Sequence, residues 1–207
     1  MLTRVTLLVA LLCVPLWAQS NDAVVRRVDD HYNHLSSLRA RYVEQYSGMG
    51  MNKTETGTLL LKKPGKMRWS YDEPVGKVFV LDGKYAWFYT PGDAQAQRVP
   101  AKELDDLRSP LRFLLGHLEL NKELDQLSFS GMPPWQPGDR VIEGIPKGPV
   151  EDAGWRKLWI EVSPAYEITR LVILSLDGSQ NDIRFSGIRV NQGLPKGIFK
   201  EGVRGEG

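Results

Sequence analysis

The chain is short of reactive side chains. Among its 207 residues are one cysteine, Cys13, and three histidines, and 27 basic against 25 acidic side chains nearly cancel. After the first eighteen residues no long apolar run occurs. Those eighteen, MLTRVTLLVALLCVPLWA, carry Arg4, an apolar stretch through Val14 and a small residue at Ala18, the pattern of a secretory signal cleaved after Ala18. The stretch is too short to span a bilayer comfortably, and the polar run Gln19-Ser20-Asn21-Asp22 follows it. Cys13 is preceded by Leu11 and Leu12, where a lipidated signal would place small residues.

Each shortage excludes a class of function. Cleavage removes the only thiol, so the mature chain enters an oxidising compartment with no disulfide, thiolate ligand or cysteine nucleophile. Loss of Arg4 leaves 26 basic against 25 acidic groups, which gives no electrostatic footprint for nucleic acid or an anionic membrane. His31 and His34 share a helix face with no distant cluster to complete a metal site, and His117 stands alone. No Gly-x-Ser-x-Gly elbow or phosphate-cradling loop occurs, and the acids Asp72-Glu73 and Asp105-Asp106 are sequence neighbours of the kind found in turns. The expectation is one soluble periplasmic domain, 19–207, monomeric, without stable membrane insertion, metal, cofactor or enzymatic activity.

What the chain does have is alternation. Met67, Trp69 and Tyr71 fall on one side of a strand and Arg68, Ser70 and Asp72 on the other. Lys77 to Leu81 reads as the next strand, Asp82-Gly83 as a tight turn, and Tyr85 to Tyr89 as a third strand ending at Thr90-Pro91-Gly92. Parity puts Trp69 and Trp87 in the interior; both faces of Val78 to Leu81 are apolar, so its orientation stays open. Earlier, Val24, Val25, Val28, Tyr32, Leu35 and Leu38 paint a helical stripe from Asp22 to Leu38, capped by Asn21 or Asp22. Arg39 to Tyr46 and Glu55 to Lys63 read as strands joined by a loop, Gly48 to Asn52, with Lys63 at the end of an apolar face. Ser109-Pro110 opens a short leucine-rich helix, Gly131 to Gly138 is a loop, and Asp177-Gly178 marks a late hairpin. Leu158, Ile160 and Val162, and then Ile183 and Phe185, alternate with polar neighbours. The count is about ten or eleven strands in one curved antiparallel sheet, with few helices.

The run Pro64-Gly65, Arg68-Trp69, Tyr71, Glu73-Pro74, then Asp82-Gly83, Trp87, Tyr89 and Pro91, resembles the outer-membrane lipoprotein carrier family of Gram-negative bacteria. The similarity extends over the mature chain, with a second match from Asp177-Gly178 through Asn191. It implies a mainly β fold with an α lid, an incomplete antiparallel β-barrel enclosing a hydrophobic cavity. It further implies that acylated lipoproteins are received from an inner-membrane ABC-type release complex and passed to an outer-membrane acceptor. On this reading Leu59, Leu61, Met67, Trp69, Tyr71, Trp87, Ile160 and Phe185 line the cavity, and Leu111, Leu114, Leu115 and Leu118 come from the lid. Lys63-Pro64 stands where the family usually has the lid-latching Arg-Pro; a lysine offers a point charge without the planar fork, so the latch is weaker. The family's Phe-x-Gln reads Tyr42-Val43-Glu44 here, and the stretch from Phe199 to Val203 is shorter than the family's last strand. A lipoprotein-sensing domain of the same shape, or a hydrolase of lipids or glycans, are the alternative readings.

Overall fold

The computed structural model describes residues 20–103 and 117–200. The expected signal segment and the lid positions Leu111, Leu114 and Leu115 lie outside them.

Helix α1 spans Asn21–Asn33. Its N-cap is Ser20, whose hydroxyl accepts from the Ala23 amide at 3.3 Å, and not Asn21 or Asp22. Asn21 instead reaches across to the Leu127 carbonyl at 3.0 Å. Val24, Val25, Val28 and Tyr32 form the buried stripe. The helix is shorter than its apolar periodicity implies: Leu35 and Leu38 are also buried, but Leu38 already belongs to a strand. Helical and strand spacing coincide there, because a residue three or four positions on continues a stripe in either conformation.

The strands are β1 (Ser37–Gly48), β2 (Met51–Lys62), β3 (Lys66–Tyr71), β4 (Val78–Leu81), β5 (Tyr85–Tyr89), β6 (Gln97–Pro100), β7 (Leu124–Phe129), β8 (Arg140–Pro146), β9 (Trp155–Val162), β10 (Ile168–Ser175) and β11 (Gln180–Val190). Single-turn helices α2 (Leu120–Glu123) and α3 (Val150–Ala153) interrupt them. All eleven strands form one antiparallel sheet ordered β6-β5-β4-β3-β2-β1-β11-β10-β9-β8-β7. Strands β1 and β2 pair along their whole length, from Ser37 opposite Lys62 to Gly48 opposite Met51. The expected five-residue loop between them is a two-residue turn, Met49-Gly50, with φ of 51° and 75°. Both positive φ values suit a hairpin whose twist matches its strands.

The sheet does not close, since its ends β6 and β7 are edges. It curls around α1 far enough that Tyr32 Oη accepts from the Ile168 amide on β10 while the Tyr32 carbonyl accepts from Lys63 just past β2. Connectivity has one further consequence: the chain between Pro100 and Leu124 runs from one edge of the sheet to the other.

Each face has its own core. The inner face, with α1, carries the larger cluster. On the outer face Leu60, Val78 and Val80 pack with Phe199, Leu194, Ile198, Trp87 and Tyr89. Two segments strap that outer face. Residues 191–199 cross one half, tied by Ser37 Oγ to the Gln192 carbonyl at 2.7 Å and by Arg68 Nη1 to the Ile198 carbonyl at 3.2 Å. The loop 130–139 crosses the other. There Glu161, 1 % exposed, accepts the amides of Trp135 and Gln136 at 2.9 and 2.8 Å, and Asp139 accepts from the Thr169 hydroxyl at 2.6 Å.

The inner face as candidate functional site

Strand pairing sorts the inner side chains into rows. One row runs Phe185, Tyr42, Gly57, Tyr71; the next runs Ala40, Leu59, Trp69, Phe79, Phe88; a third runs Leu38, Leu61, Met67, Leu81, Ala86. In the other half Ile183, Leu171, Ile160 and Ile142 form one continuous row across β11 to β8. Of the expected cavity residues, Leu59, Leu61, Met67, Trp69, Tyr71, Ile160 and Phe185 all belong to this inner cluster.

Trp87 does not. On β5 the inner positions are Ala86 and Phe88, opposite Leu81 and Phe79, while Trp87 pairs with Val80 on the outer face. Its indole donates to Asp82 Oδ2 at 3.0 Å, and the ring joins the outer cluster under the C-terminal strap. Parity misled here because β5 has large rings on both sides, and the Asp82-Gly83 turn, with Gly83 at φ 101°, sets its register.

The two halves of the wall differ in chemistry. From β1 to β5 it is aromatic and interlocked. Tyr42 meets Trp69 edge-on at 4.5 Å and Tyr71 at 5.9 Å, Phe79 lies 4.9 Å from Phe88, and the Trp69 indole donates to Met67 Sδ at 3.0 Å. From β8 to β11 it is aliphatic apart from Phe185, which borders the rings of the other half. Several inner residues were not among the expected cavity positions: Tyr42, Phe79, Phe88, Leu158, Leu171 and Ile173 all belong to the inner cluster, Leu158 having been read as alternating and the face of Phe79 left open. Tyr42 was legible, sharing parity with Ala40 two residues before it, but Glu44 ends the alternation.

Helix α1 and the segment after residue 117 cover this wall. Asn33 and Leu118 exchange two hydrogen bonds, side-chain amide to carbonyl at 2.8 Å and backbone amide to Oδ1 at 2.6 Å. Asp29 Oδ1 accepts from the Leu120 amide at 3.1 Å. Burial holds the Asp29 carboxyl above the usual carboxylate range against that hydrogen bond, and the neighbouring Glu119 and Asp30 push the same way. Leu118 and Leu120 are fully buried. Leu118, expected on a lid helix, thus precedes α2 in non-helical backbone pinned to α1. An apolar opening of about 10 Å³ lies among Tyr32, Leu38, Ala40, Leu59, Leu61, Ile168, Phe185 and Ile188.

Lys63 sits at the rim. Its Nζ donates to the Tyr32 carbonyl at 2.7 Å, in the last turn of α1, where a cation complements the helix dipole. Burial lowers its pKa. Lys63 therefore fastens α1; the leucine-rich helix that it was expected to latch falls outside the described residues.

The one-sheet half-barrel is also what the comparisons with known proteins find. The pattern of the family described as outer membrane lipoprotein carrier protein LolA matches residues 33–201. The chain belongs to the LolA family. A relative from Azotobacter vinelandii named outer-membrane lipoprotein carrier protein is 26 % identical over 205 residues, covering 96 % of this chain and 93 % of that one. Among solved structures, a LolA superfamily protein from Nitrosomonas europaea superposes with a TM-score of 0.50 at 12 % identity, over 89 % of this chain and 99 % of its own. The Pseudomonas aeruginosa MucA/MucB complex contains a chain matching with a TM-score of 0.50 at 14 % identity, over 89 % of this chain and 62 % of that one. At such identities the structural likenesses speak for the LolA fold alone.

Proposed function

We propose that this LolA-family chain is a periplasmic carrier that holds the acyl chains of lipoproteins on the inner face of its sheet, taking them from an inner-membrane ABC-type release complex and yielding them to an outer-membrane acceptor. The observation that carries the reading is the continuous apolar wall, aromatic on one side and aliphatic on the other, covered by the chain's own α1 and its partner segment at 117–120. Such a wall suits a ligand with long apolar chains and few hydrogen bonds to satisfy.

The cover explains how a carrier lets go. Burying an acyl chain yields about 0.8 kcal/mol per methylene, so one long chain alone is worth roughly ten kcal/mol gross, and release would be prohibitively slow if nothing opposed it. Here the wall is already occupied by Val24, Val25, Val28, Tyr32, Leu118 and Leu120. Cargo replaces protein contacts with lipid contacts, and only the difference holds it. The polar ties of α1 are a few separate hydrogen bonds and the reciprocal Asn33–Leu118 pair, each bond worth about 0.5–1.5 kcal/mol net, which cargo can offset. The leucines Leu111, Leu114 and Leu115 are proposed to serve the same cover, since their segment must connect the two edges of the sheet.

Native mass spectrometry of the mature protein, co-expressed with a triacylated lipoprotein or with that lipoprotein lacking its acylated cysteine, tests the reading. A one-to-one complex with the acylated form alone is expected. No complex with either form overturns it and moves the sensing domain ahead.

A further inference from the structure

Among the described residues of the apolar wall, one hydroxyl is left without a partner. Tyr42 is 1 % exposed, and its hydroxyl has no hydrogen-bond partner. Leaving a buried hydroxyl unpaired is costly, and most such groups in folded proteins are satisfied. A phenylalanine would keep the ring contacts to Trp69 and Tyr71 without that cost.

The surroundings are shaped to take the hydroxyl. It lies over Gly57, where a Cβ would fall 2.7 Å from Tyr42 Oη and from its Cε1. Burial, with Tyr71, Glu44 and Glu55 nearby, pushes its pKa far above the ordinary tyrosine range, so the oxygen keeps its proton and is available as a donor. Tyr42 also marks a boundary. One row further along the inner face, Glu44 and Glu55 stand directly opposite each other on β1 and β2. Glu44 accepts from Asn181 at 2.7 Å, and Glu55 is paired with Lys53 and Lys77 at 2.8 and 2.5 Å. Below that polar row, beginning with Tyr42, the wall is apolar.

We infer that the Tyr42 hydroxyl reads the carbonyl at the head of a bound acyl chain, donating to an ester or amide oxygen while the hydrocarbon follows the apolar rows. This rests on the carrier reading and adds a specificity to it. A carbonyl of an ester or amide accepts a hydrogen bond and carries no charge. A free fatty acid would bring a carboxylate to a buried site where Glu44, Glu55, Lys53 and Lys77 already cancel, so no net positive charge offsets its desolvation. Tyr42 is a positioning residue, and the ligand class it selects is the esterified or amidated acyl chain.

The test uses the mature protein and its Tyr42→Phe variant with two probes: a synthetic triacylated lipopeptide, and an analogue of equal chain length in which ether and N-alkyl links replace every acyl carbonyl. Wild type is expected to bind the acyl probe about tenfold more tightly than the alkyl probe, the worth of about one good hydrogen bond. Tyr42→Phe is expected to lose that preference by weakening on the acyl probe alone, and to unfold at a higher urea concentration when empty. The second readout separates this role from ordinary packing, which truncation would weaken. Equal loss on both probes, unchanged acyl binding, or a lower urea midpoint overturns the assignment and leaves the carrier reading standing. Binding of neither probe by wild type overturns the carrier reading itself.

Discussion

The two halves of the inner wall achieve burial by different means. Between β8 and β11 the surface is, apart from the bordering Phe185, made of Ile142, Leu158, Ile160, Leu171, Ile173 and Ile183, side chains without polar atoms that fill space by volume. Between β1 and β5 it is a set of rings locked edge to face, with an indole donating to a thioether and a hydroxyl left over. Aliphatic packing tolerates exchanges of similar volume, whereas aromatic packing depends on angles. The aliphatic half is therefore adaptable and the aromatic half is shaped.

Substitutions can break that contrast. The largest effect is expected at the fully buried Trp69: Trp69→Ala should cost about 3–5 kcal/mol in urea unfolding, against about 0.5–1.5 kcal/mol for Ile160→Val across the trough. A glycine in each half makes the next test. A Cβ on Gly57 would lie 2.0 Å from the Ser70 carbonyl oxygen, whereas on Gly144 it would meet the Leu124 and Leu127 side chains at 3.2 Å. Gly57→Ala should thus destabilise by about 1–3 kcal/mol or more and disturb near-ultraviolet circular dichroism, while Gly144→Ala should leave that spectrum unchanged. Equal effects would mean that the halves are equally compliant.

Acid sharpens the comparison on the outer surface. Under the aliphatic half the buried Asp182 pays desolvation, but hydrogen bonds from Arg170 and Arg184 outweigh it and hold its pKa below the usual value. A depressed carboxylate stabilises the fold above its unfolded pKa, near 3.9, and that contribution is lost as pH falls through the folded value. Thermal unfolding of wild type should weaken below about pH 4 more steeply than that of Asp182→Asn. The exposed Arg41–Asp72 pair under the aromatic half should contribute far less to the slope. The smallest effect is expected at the cover. Asp29→Asn keeps the acceptor for the Leu120 amide and removes a charge that burial disfavours, so a small rise in Tm near neutral pH is expected.

Much of this was legible in the chain itself. Alternation fixed the inner placement of Met67, Trp69 and Tyr71, and the periodic valines marked the buried face of α1. The failures share a cause. Trp87 sits in a strand with rings on both faces, where only the register against β4 decides which side is in, and register is a tertiary fact. The end of α1 was blurred because Leu35 and Leu38 fit two periods. The role of Lys63 depended on which helix end comes within reach, and nothing local to Lys63-Pro64 encodes that. The unpaired hydroxyl of Tyr42 was invisible for the same reason, since a missing partner is seen only when every neighbour is in place.

The two straps on the outer face have a mechanical meaning. One is held by a buried acid that collects amide protons and the other by a buried arginine that donates to a carbonyl, so each half of the sheet is braced from behind by its own chain. On the carrier reading, volume for a guest on the inner face comes from shifting α1 and the 117–120 segment, which fill it here. On that reading a protein that touched only the strapped side would find loaded and empty molecules alike, and news of the load would be carried at the rim, where the filling emerges.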